Sequence, residues 1–188
     1  MPNGTASTVD ISIPNKEWGI CGFSSCIGAM CELGLIGSVQ KDHLKTRLLA
    51  EIKTYLELLR ADENPLRWEI EKFTRTFKGY ENFSIVYFVT DISVNKDLTA
   101  KKGLAMPPRA LVDYLQRCWG MKKAYLADAS TSLNNVILGL AKGKDLKHWV
   151  YKKDNNCVYN WGEKKTLAQV MSECSDFSDG VGYQIAGF

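Results

Sequence analysis

Residues 18–30, WGICGFSSCIGAM, put a Cys-Gly pair directly ahead of an apolar pattern with helical spacing. Phe23, Cys26, Ile27, Met30 and Leu33 recur as the buried face of a helix does, and Gly34 and Gly37 end it. Cys21 would then stand at the helix N-terminus, where free N–H groups and the positive end of the dipole stabilise a thiolate. Gly22 behind it would leave room for a substrate backbone. The competing reading is that Cys21, Cys26 and Cys31 are small core residues, since cysteine is among the most buried residue types.

Working outward, residues 1–13 are polar and read as a loose arm. Residues 41–60, KDHLKTRLLAEIKTYLELLR, carry one apolar stripe of Leu44, Leu48, Ile52, Tyr55, Leu56 and Leu59 and predict a helix. Asn64-Pro65 breaks it, and LRWEIEKFTRTF predicts a second helix closed near Gly79. The β-branched and aromatic run NFSIVYFVTDISV (82–94) predicts a strand. Pro107-Pro108 opens a helix that Gly120 ends, and KKAYLA is a short strand. Ser130–Ser132 would cap a further helix, LNNVILGLAKG. HWVYKKDNNCVYNWG (148–162) has the pattern of a hairpin around Asp154-Asn155-Asn156, and VGYQIAG is a last strand. The fold class is α+β, as one domain over 1–188.

Composition narrows the function. The 188 residues carry a net charge of +3, with 45% hydrophobic and 24% charged residues, ordinary for a globular protein. The pI of about 8.5 admits an acidic partner without the clustered Lys/Arg of a nucleic-acid footprint. Lys147, Lys152, Lys153, Lys164 and Lys165 read as a solvated basic face. No run is apolar enough for a membrane span, and the opening stretch lacks the basic and apolar regions of a classical signal peptide. The six cysteines include no Cys-x-x-Cys pair and read as reduced thiols. Cys21, Cys26 and Cys31 step by five, so their side chains diverge and do not converge on a metal. No metal or cofactor is expected.

Only two histidines exist. His43 lies beside the apolar stripe of a charged helix, whereas His148 opens a strand whose returning partner ends at Asn160. A base needs a third group to hold its ring, and Asn160, Asn156 or Asp154 could be that group. The hairpin register decides among them, since a one-residue slip flips every side chain. Trp149, Tyr151, Tyr159 and Trp161 read as cross-strand packing that could also line a groove.

Three stretches resemble one family in that family's own order. CGFSSCIGAM resembles the nucleophile helix of papain-like cysteine hydrolases, especially the bacterial branch of leader-removing peptidases and effector proteases. PPRALVDYLQRCWGMKKAYL resembles its later helix-Gly-strand. TSLNNVILGLAKGKDLKHWV and HWVYKKDNNCVYNWG resemble its next helix, its His strand and the hairpin mate of that strand. The resemblance covers about half the chain. It implies a papain-like nucleophile helix packed on a mostly antiparallel sheet; the helical insert (41–79) is unlike the short members of that branch and could serve as a lid that selects substrates or binds partners. It also implies Cys21 as nucleophile, His148 as base and Asn160 as the orienting residue. The family's oxyanion-binding Gln has no counterpart in NKEWG (15–19), so Asn15 or the Cys21 backbone N–H would take that part.

The resemblance implies a monomeric hydrolase of peptide or amide bonds with a protein or peptide substrate. By analogy it would be a bacterial effector, delivered by type VI or type III secretion with a carrier protein, or else cytoplasmic. The missing Gln favours a second possibility, an inactive relative that binds a host or delivery protein. A peptidoglycan amidase is a third, and deamidation or acyl transfer would use the same residues.

Overall fold

The computed structural model describes residues 20–35, 41–61, 63–95, 104–160 and 163–188, without the side chains of 41–47 and 91–95. The arm at 1–13, Asn15, Gly37 and Trp161 lie outside the described residues, as does the side chain of His43. The helices are α1 (Cys21–Glu32), α2 (Lys41–Ala61), α3 (Leu66–Thr74), α4 (Ile85–Asn95), α5 (Pro108–Cys118) and α6 (Leu167–Glu173). The strands are β1 (Tyr125–Ala127), β2 (Val136–Lys142), β3 (Asp145–Asp154), β4 (Cys157–Asn160), β5 (Glu163–Lys165) and β6 (Gly180–Ala186). The strands form one sheet in the order β1-β6-β2-β3-β4-β5, every neighbouring pair antiparallel. The fold is therefore α+β.

The sheet is buried on both faces. On one, Ile137, Trp149, Tyr151, Tyr159 and Ile185 pack with residues of α1 to α5 in the larger core. On the other, Val136, Leu138, Leu140, Val150 and Val158 pack with Val170 and Cys174. The register Tyr151↔Tyr159 and Lys152↔Val158 fixes this division, because side chains alternate along a strand.

Two elements differ from the sequence expectation. Residues 85–95 are helix, not strand. Ile85, Phe88 and Val89 are buried while Tyr87 is exposed, a helical period that outweighs β-branched content. The buried Glu71 carboxylate accepts the Ile85 N–H at 2.9 Å and so satisfies a first-turn donor of α4. Residues 136–142 are strand, not helix. This run lies between β3 and β6 with Val136 to Leu138, Leu140 and Ala141 all buried, and a short run apolar on both faces carries no period that separates strand from helix. Ser130 instead bonds the Asp128 carboxylate in a turn.

Gly139 is at the centre of this strand. A Cβ there would come within 2.8–2.9 Å of Leu146, Trp149 and Tyr183. Gly139→Ala is expected to cost about 1–3 kcal/mol by overpacking, read as a lower urea midpoint at unchanged slope.

The helices α2 and α3 contribute to the core. Leu48, Ile52, Tyr55, Leu56 and Leu59 are fully buried. Tyr55 and Phe23 both meet the Tyr114 ring edge-on, at 5.3 and 4.8 Å between centroids. Removing this segment would open the core that supports α1.

Candidate functional site

Cys21 is the first residue of α1, after an Ile20 N-cap that offers no side-chain acceptor. Its sulfur lies against the backbone N–H of Trp149 and the N–H groups of Gly22 and Cys21 itself. Those donors favour a thiolate, but desolvation outweighs them and pushes the thiol up to about 11. The helix N-terminus thus does not lower this thiol as the sequence position suggests. Gly22 serves packing rather than substrate approach: a Cβ there would lie 3.0 Å from Met106 Cβ. Trp149 Nε1–H donates to Met106 O at 2.8 Å, so one side chain ties β3 to the segment that covers α1.

His148 and Asn160 are brought together. With Tyr151 opposite Tyr159, Asn160 is a diagonal neighbour of His148 on the face of Val150 and Val158. His148 Nε2 is 2.7 Å from Asn160 Oδ1, and Asn160 Nδ2 points to Glu173 Oε2 at 3.5 Å and Cys174 Sγ at 3.9 Å. Oδ1 is therefore the acceptor, Nε2 carries the proton, and the lone pair is on Nδ1. The Phe177 ring stands edge-on to the imidazole at 6.1 Å. Burial pushes His148 down to about 4 against the weaker opposing effect of Asn160. Asn160 is thus the partner, whereas Asp154 and Asn156 form the exposed hairpin turn, where Asp154 accepts the Asn156 N–H at 2.8 Å.

The His148 shift makes stability depend on pH. A histidine that is neutral when folded must charge on unfolding, so its contribution is complete above pH ~6.5 and lost as pH falls toward 4. The depression to about 4 corresponds to about 3 kcal/mol. The stability difference between wild type and His148→Gln, measured by urea unfolding, is expected to shrink by that order between pH 7 and pH 4.

Of the five lysines read as a solvated basic face, Lys147, Lys153 and Lys164 are exposed, Lys165 is half-buried and Lys152 is not at the surface. Lys152 is buried, donating to Ser132 Oγ at 3.1 Å and Leu133 O at 2.8 Å. Lys153 pairs with Glu32 at 3.1 Å, and Lys165 with Glu163 and Glu173. None of the six cysteines forms a disulfide; Cys21, Cys31 and Cys118 are partly exposed and the other three buried. Among the described residues no group of three His, Cys, Asp or Glu is placed to hold a metal, and no helix is long and apolar enough to cross a membrane.

Sequence reading misses α6 and with it Glu173. The T-x-x-Q of Thr166 and Gln169, a capping box in the structure, is the signal that announces the helix. Nothing in the sequence links Glu173 to Asn160.

A thiol at a helix N-terminus lies on one side of the His148–Trp149 peptide, and a neutral imidazole whose Nε2 is held by a carboxamide lies on the face of Val150 and Val158. Cys21 reaches the peptide linking His148 to Trp149 from the face on which α1 packs. A thiol and a neutral imidazole are the groups that nucleophilic acyl transfer uses. Compared with known proteins, the chain matches no family model, no curated protein and no solved structure.

Proposed function

We propose that the chain is a papain-like cysteine hydrolase that cleaves a peptide or amide bond. The observation that carries this reading is the buried His148 Nε2···Asn160 Oδ1 bond of 2.7 Å with the Cys21 sulfur at the adjoining Trp149 N–H. Nδ1 takes the thiol proton as sulfur adds to the carbonyl carbon. The tetrahedral oxyanion accepts from backbone N–H groups at the start of α1, and His148 returns the proton to the departing amine. Water, deprotonated by the same Nδ1, then releases the acid from the thioester and restores the thiol. With the thiol near 11 and the imidazole near 4, the resting pair is neutral, so proton transfer accompanies attack. In this reading the substrate is a protein or peptide, and the chain is an effector delivered to a target cell.

The same resting ionisation favours a second reading, a catalytically silent papain-like module that binds a host or delivery protein. Treatment with a panel of peptidyl vinyl sulfones at pH 7, mapped by mass spectrometry, separates the two. The hydrolase carries its adduct on Cys21. The binding module is modified on its other partly exposed thiols, Cys31 and Cys118, as fast as on Cys21.

A further inference from the structure

We propose that Glu173 is a positioning residue for His148, acting through the Asn160 carboxamide. The inference rests on His148 being the base of the proposed reaction.

Asn160 is buried with both ends of its amide committed. Oδ1 accepts from His148 Nε2, and Nδ2 faces the Glu173 carboxylate and the Cys174 sulfur. A carboxamide can turn over about its terminal torsion at little steric cost. Turned over, Nδ2 would face Nε2 and donate to it. The imidazole proton would then reside on Nδ1, which would no longer offer a lone pair to a thiol. Base and non-base differ by one amide flip.

The flip is decided by what stands on the far side of Asn160. The turned amide would aim Oδ1 at the Glu173 carboxylate, so like partial charges would meet where the buried amide reaches the exposed end of α6. The observed amide aims Nδ2 there. At 3.5 Å the Nδ2–carboxylate contact is at the long limit of a hydrogen bond, so charge against dipole makes the selection. The carboxylate is fixed in place. Its Oε1 is 2.5 Å from Lys165 Nζ, which also pairs with Glu163, and that leaves Oε2 for Asn160. The capping box of Thr166 and Gln169 sets the helix that carries Glu173.

The test compares wild type with Glu173→Gln, which keeps the shape and loses the charge, so that either amide face of residue 173 can meet Asn160. Long-range 1H–15N correlation of the His148 ring reads the tautomer, and the vinyl sulfone labelling rate of Cys21 reads the consequence. Wild type is expected as the Nε2–H tautomer. Glu173→Gln is expected to give a mixture with Nδ1–H, with Cys21 labelling slowed about tenfold. Melting curves confirm that the variant is folded, and Glu173→Asp, which keeps the charge, is expected to retain the wild-type tautomer. A Glu173→Gln protein with the wild-type tautomer overturns the inference, as does a wild type found as Nδ1–H. A tautomer shift in a protein whose Cys21 is never labelled preferentially would sustain the positioning role and sink the hydrolase reading.

Discussion

Replacing His148 by alanine is expected to slow the reaction of Cys21 with a peptidyl vinyl sulfone by roughly 10²- to 10⁴-fold at pH 7, the usual contribution of a positioned general base. The size of the effect comes from the resting state. Desolvation holds the thiol near 11, so at neutral pH almost no thiolate exists without a base to receive the proton. Asn160→Ala leaves the imidazole present but releases its Nε2 proton, and is expected to have a smaller effect in the same direction. Small alkylators separate ionisation from assembly. Iodoacetamide should show Cys21 titrating well above pH 9 in wild type. A profile with reactivity already complete at pH 7 would mean a preformed ion pair and contradict the neutral resting state. Circular dichroism must accompany each variant, since His148→Ala strands the buried Asn160 Oδ1, a penalty of about 1–3 kcal/mol.

Trp149→Ala is expected to destabilise the fold by about 3–5 kcal/mol, with a further ~1 kcal/mol from the Met106 carbonyl left without its donor. Trp149 is 2% exposed and makes the 2.8 Å bond to Met106. A domain of ordinary stability has only about 5–15 kcal/mol in total. The variant should therefore lose most of its urea resistance. Trp149→Phe keeps a ring and loses only the N–H, and is expected to cost about 1–2 kcal/mol. If the two variants cost the same, the ring does not fill the space between α1 and the sheet.

The site is legible in the sequence to the extent that local pattern carries geometry. Cys21 ahead of a helical period, and two β-rich runs around Asn155-Asn156, are enough to place the helix that begins at Cys21 and the hairpin. The choice of Asn160 over Asp154 and Asn156 needs the register, which comes from burial of Tyr151 and Tyr159 on one face and Val150 and Val158 on the other. Residues 82–94 and 133–143 mislead for opposite reasons. The first is rich in β-branched residues yet buries a helical set; the second has apparent cap residues yet is buried on both faces. Burial on two faces is a property of the neighbours, which a single strand's sequence does not contain. Lys152 teaches the same lesson: it reads as surface charge, but its strand runs through the sheet interior and its ammonium finds partners there. The ionisation of Cys21 departs from the sequence expectation because a helix N-terminus lowers a thiol only where desolvation does not exceed it.

In the proposed reaction Cys21, served by His148, forms a covalent acyl intermediate. The direct measurement is rapid mixing of the protein with an excess of p-nitrophenyl acetate, followed by acid quench and peptide mapping, in wild type and His148→Ala. The expected result is a burst of nitrophenol equal to the protein concentration, an acetyl thioester on Cys21, and loss of both in the variant. Acetylation spread over Cys31 and Cys118, or a Cys21 thioester that forms equally fast without His148, would contradict it.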